Sequence, residues 1–119
     1  MATCTWLRRS GHWAYEHILE AIAKIQPYTH GMTEESFSAD ECTVDAVIRN
    51  FQVIGEATRY VPKAVQTRYR EIPWSLMQGM RHVLVHGYDV VKLDVVWRTI
   101  QESLPPLIEP LQNILNENP

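Results

Sequence analysis

A chain of 119 residues with 45% hydrophobic side chains is long enough to close one core without disulfides or metals, and too apolar to stay disordered. Its formal charge of −3 excludes a protein whose whole surface grips nucleic acid. No apolar run reaches the ~18 residues of a membrane span, and the N-terminus lacks the apolar stretch of a signal peptide, so a cytoplasmic protein without membrane contact is expected. Cys4 and Cys42 have no zinc-ligand spacing, and both are expected to be reduced and structural.

The chain reads as one all-α domain over 1–119, with residues 1–12 as a lead-in. From Ser10, Trp13, His17/Ile18, Ala21/Ile22 and Ile25 recur at helical spacing, and this first helix weakens at Pro27. His30-Gly31-Met32 marks a break, and a short helical turn fits Thr33–Phe37. Ser38-Ala39-Asp40-Glu41 reads as a capping box opening a second long helix. Its apolar face is Val44, Val47/Ile48, Phe51, Ile54 and Thr58, and it should end before Pro62. Arg49 and Glu56 lie two turns apart on it. They are either a solvent-facing pair or a pair reaching toward the motif described below.

Residues 62–69 add a short helical segment. Pro73 suits the first position of the next helix, since its missing N–H is not needed there. That helix carries Trp74, Met77, Met80/Arg81 and Leu84 and should stop near Gly87. Asp94 stands at the start of the last helix, with Val96/Trp97, Ile100, Leu104, Leu107/Ile108, Leu111 and Ile114/Leu115 on one phase. The phase runs through Pro105-Pro106 without resetting, which predicts one bent helix.

Charge is uneven along the chain. From Arg59 to Arg81, five basic residues (Arg59, Lys63, Arg68, Arg70, Arg81) stand against one acid, Glu71. This segment leads into Arg81-His82-Val83-Leu84-Val85-His86-Gly87-Tyr88. An i, i+5 pair sits about 140° apart on a regular helix, so Arg81 and His86 meet only at a helix end or across a two-fold axis. Arginine binds phosphate through paired hydrogen bonds, and histidine moves protons near neutrality. RNA supplies its own 2′-hydroxyl nucleophile, so a cation, a base and an acid suffice without metal or cofactor. Two copies of His86 in a dimer could divide the two proton transfers. Tyr88 could orient a phosphate or accept a modification, and His82 could add a polar contact. The plainer reading has Arg81 in a salt bridge, His86 as a helix-end histidine and Tyr88 in the core. His12, His17 and His30 have no metal-like company and read as structural.

The ordered blocks His17–Ile22, Arg49-Asn50, Ile54-Gly55-Glu56-Ala57, Ile72-Pro73-Trp74, Gly79-Met80-Arg81, His86-Gly87-Tyr88, Val96-Trp97 and Leu104–Leu107 resemble the HepT-type toxins of the HEPN superfamily. The family signature of arginine, four residues, histidine, one residue, tyrosine is matched by Arg81, His86 and Tyr88. The position after the arginine, commonly asparagine in the family, is His82 here. Asp89-Val90-Val91 stands where the family usually shows an aromatic and a glycine. The resemblance implies a HEPN-like up-and-down bundle of about four to five helices with a bent C-terminal helix. It implies a homodimeric, metal-independent endoribonuclease toxin of a type VII-like toxin–antitoxin pair, with Arg81 and His86 catalytic. It further implies that Tyr88 is adenylylated by a minimal nucleotidyltransferase antitoxin of the MntA type. The alternative is a non-catalytic helical module for dimerisation or for binding a nucleotidyltransferase partner.

Overall fold

The computed structural model describes residues 12–82 and 92–117, and these form helices joined by short turns, with no strand among them. In chain order they form α1 (His12–Thr29), α2 (Glu34–Ala39), α3 (Glu41–Thr58), α4 (Lys63–Arg68), α5 (Trp74–Gly79), α6 (Leu93–Arg98) and α7 (Pro105–Glu117). A π-helical turn, Thr99–Ser103, joins α6 to α7. The long bodies are α1, α3 and the α6–α7 pair, while α2, α4 and α5 have six residues each. The arrangement among the described residues is an all-α bundle.

Helix α1 packs along α3 and also rests on α7. Its buried positions Ala14, Ile18, Ala21, Ile22 and Ile25 follow the period of one helical face. The face of α3 that meets them carries Val44, Val47, Ile48, Phe51 and Ile54. Pro27 sits inside α1, and the helix continues two residues past it. Near that end the buried Thr29 hydroxyl donates to the Ile25 carbonyl at 3.0 Å. Gly31 then takes φ of 78°, a left-handed conformation that suits glycine and turns the chain into α2.

The capping pattern differs from the one expected. Ser38 lies inside α2, and the capping box is Thr33 with Ser36: each side-chain oxygen accepts the other's backbone N–H, at 3.1 and 2.9 Å. Asp40 closes α2 and opens α3, accepting from the Thr43 N–H at 3.1 Å. That bond holds the Asp40 carboxyl below its ordinary pKa. Between two helices so close together, one residue can serve as C-cap and N-cap, and Asp40 has the short acceptor side chain this needs. Cys42 follows in the exposed first turn of α3. It is no part of the core, and the structural role expected for it is therefore corrected; Cys4 lies outside the described residues.

The last helix bends as its prolines require. Leu104 keeps right-handed helical angles, and its N–H donates to the Thr99 carbonyl five residues back. Pro105 and Pro106 have no N–H to give, and their rings crowd the preceding turn, so the widened turn makes room for them. Val96, Ile100, Leu104, Leu107, Leu111 and Ile114 stay buried through the bend. No helix is long and apolar enough to cross a membrane among the described residues.

Candidate functional site

Arg81 stands where α5 breaks. The regular helix expected from Trp74 to Gly87 ends at Gly79, and Met80 and Arg81 continue as tighter turns. The Met80 N–H donates to the Met77 carbonyl and the Arg81 N–H to that of Gln78. Glycine is a weak helix former, and Met77 and Met80 on either side are buried. The core thus grips this segment while its helix is released. Pro73 is the residue before α5, not its first, and the Trp74 indole N–H anchors the segment by donating to the Tyr69 carbonyl at 3.0 Å.

Helix α3 supplies the platform. A Cβ on Gly55 would lie 2.5 Å from the Arg81 nitrogen and 2.7 Å from its Cβ, both inside van der Waals contact. Gly55 therefore admits the Arg81 backbone onto α3. The next residue, Glu56, reaches two arginines: Oε2 is 2.7 Å from Arg59 and Oε1 is 3.5 Å from Arg81. Both pairs are half-exposed, the class of ion pair worth about 0–1 kcal/mol, so Glu56 contributes more to placement than to stability. A guanidinium has five N–H donors, and among the described residues the long contact to Glu56 engages one nitrogen of the Arg81 group.

Arg81 opens onto a pocket of about 350 Å³ lined by Arg59, Ser75, Gln78, Gly79 and His82. His82 is exposed. His86 and Tyr88 lie outside the described residues, as does the expected stop at Gly87. Of the α3 pair, Glu56 reaches the motif arginine, while Arg49 is exposed. The roles of Gly55 and Arg59 are not visible in residue spacing. The available signal is a glycine on the buried face of a long helix, which costs roughly 1 kcal/mol against alanine and so points to a close neighbour.

The model of the HepT-like ribonuclease family matches residues 18–114. The chain belongs to that family. "Probable ribonuclease HepT" of Thermococcus cleftensis is 39% identical over 101 residues, covering 85% of this chain and 92% of its own. A Caldanaerobacter subterraneus protein named as a candidate RNase is 31% identical, with 86% and 91% covered. A Methanocaldococcus jannaschii protein, whose name pairs a gamma-glutamylcyclotransferase with a candidate RNase, is 37% identical over 85% of this chain. The match spans 46% of that protein's length. No solved structure matches. Of Arg81, His86 and Tyr88, Arg81 lies among the described residues.

Proposed function

We propose that this chain is a metal-independent endoribonuclease of the HEPN type, acting as the toxin of a toxin–antitoxin pair. The observation that carries the reading is the seat of Arg81. In a ribonuclease family, the motif arginine is backed onto α3 by Gly55 and opens onto a cationic, polar pocket. Arg81 binds the non-bridging oxygens of the scissile phosphate, where a guanidinium neutralises the charge that builds in the transition state. The RNA 2′-oxygen attacks phosphorus, a histidine takes its proton, and the 5′-oxygen leaves with a proton from a second acid. The products are a 2′,3′-cyclic phosphate and a 5′-hydroxyl. His86 of each protomer in a homodimer fills one of the two proton roles, and His82 adds a polar contact at the pocket rim.

Control falls on Tyr88. A minimal nucleotidyltransferase antitoxin of the MntA type transfers adenylate from ATP to its hydroxyl, releasing pyrophosphate. The new phosphodiester, two residues from His86, competes for Arg81 and fills the cleft. Purified protein should cut RNA in EDTA and leave cyclic phosphate ends. His86→Ala should lose about 10²-fold or more, the usual scale for acid–base catalysis, and Arg81→Ala a similar factor. Cleavage that needs added metal, or wild-type rates in His86→Ala, would sink the reading. On incubation with an active nucleotidyltransferase and ATP, intact-mass spectra should show adenylate on the wild type and none on Tyr88→Phe.

A further inference from the structure

The five cations of residues 59–81 do not share one fate. Arg59 and Arg81 meet Glu56, and Arg68 lies 3.9 Å from Glu117 at the end of α7. Lys63 and Arg70 are exposed, and neither has a carboxylate within ion-pair reach among the described residues. Both face a second pocket, of about 450 Å³. This pocket shares Ser75 with the pocket at Arg81, so the two adjoin at that residue. Among the described residues, no acidic side chain lines either pocket.

The second pocket has two kinds of wall. Pro73, Trp74 and the 46%-exposed Leu76 contribute apolar lining. Lys63, Arg70, Gln66 and Thr67 contribute the polar lining, with the Gln66 amide donating to the Val61 carbonyl at 3.1 Å. Apolar and cationic side chains in one pocket suit a nucleotide, whose base seeks an apolar surface and whose phosphate seeks cations. The volume lies within the range of small-ligand sites.

We infer that this pocket is a binding subsite for a nucleotide of the single-stranded RNA substrate, flanking the scissile phosphate held by Arg81. The base lies on Pro73 and Leu76, and Lys63 and Arg70 take the adjoining backbone phosphates. The inference rests on the ribonuclease reading for the identity of its ligand, but binding can be measured apart from cutting.

Fluorescence anisotropy with a labelled single-stranded RNA oligonucleotide, titrated with salt, tests it. Each phosphate contact to a single strand contributes about 0.7 to the slope of log K against log salt. The double variant Lys63→Gln, Arg70→Gln should therefore reduce that slope by about 1.4. Both side chains are exposed, so the variant should keep the wild-type circular dichroism spectrum and melting temperature. In cleavage assays its loss should appear in KM and not in kcat, as for binding made equally in ground and transition states. That deficit should narrow on a dinucleotide too short to reach Lys63. An unchanged slope, or a loss confined to kcat, overturns the subsite. If the wild type binds RNA with this slope and never cuts it, the subsite stands and the ribonuclease reading falls.

Discussion

At Gly55 the missing side chain fixes where the motif arginine can lie. Gly55→Ala would force its methyl against the Arg81 backbone, which cannot rotate away as a flexible side chain could. Overpacking of this kind costs about 1–3 kcal/mol, and the gain in helix propensity of roughly 1 kcal/mol offsets only part of it. We expect a lower urea midpoint together with a loss of RNA cleavage greater than the unfolded fraction explains. Wild-type stability and cleavage in Gly55→Ala would show that the Arg81 turn adjusts freely. Asp40 gives a second prediction at this scale. Its carboxyl is held below the ordinary value of 3.8 by the Thr43 N–H and then by the Thr43 side chain. A depressed folded-state pKa means that the stabilisation is complete above the unfolded value and is lost as pH falls through the folded one. Asp40→Ala should therefore melt below the wild type at pH 7. The gap between them should close as the pH drops below about 4, near the unfolded aspartate pKa; a gap that stays constant down to pH 2 would contradict the cap.

At the scale of elements, the short α2 shows how a six-residue helix is held in place. Phe37 is its buried residue, fully enclosed, with its ring 5.4 Å from that of Trp97 on α6. Phe37→Ala should cost about 3–5 kcal/mol, the range for emptying a buried aromatic site, and chemical denaturation would measure it. Legibility in the sequence varied in the same way. The buried faces of α1, α3 and the bent α6–α7 body follow from periodicity alone, because each long amphipathic stripe has one way to reach the core. Even the bend at Pro105-Pro106 was legible, since the apolar phase survives it. The cap of α3 falls on Asp40, two residues after the expected Ser38, because α2 runs to Ala39 and takes Ser38 into its last turn. The break after Gly79 is not legible in residue spacing for a tertiary reason: α3 receives Arg81 beside Gly55, a contact 26 residues distant in sequence. Glu56 was equally ambiguous by spacing, since its neighbour across the fold decides which way it reaches.

At the scale of the whole molecule, the proposed chemistry needs two proton-transfer groups and the signature offers one, His86. A homodimer resolves this by symmetry, since a two-fold axis brings the same patch of each protomer together and doubles every residue on it. Light scattering should then give twice the 13.8 kDa chain mass. Mass alone leaves open whether the two copies share a site, and a mixing experiment decides it. Wild-type chains are unfolded with increasing proportions of His86→Ala, refolded together, and assayed on RNA at constant total protein. If one cleft draws on both histidines, only wild-type pairs cut, and activity follows the square of the wild-type fraction. Random pairing at equal proportions then leaves about a quarter of the activity. If each protomer works alone, the decline is linear and about half remains. The same series with Arg81→Ala reports on the cation. Because Arg81 opens onto a pocket of its own protomer, a linear decline for arginine beside a squared one for histidine would describe a cleft with one phosphate clamp per chain and a shared proton relay. A linear decline for both would remove the need for the dimer in catalysis.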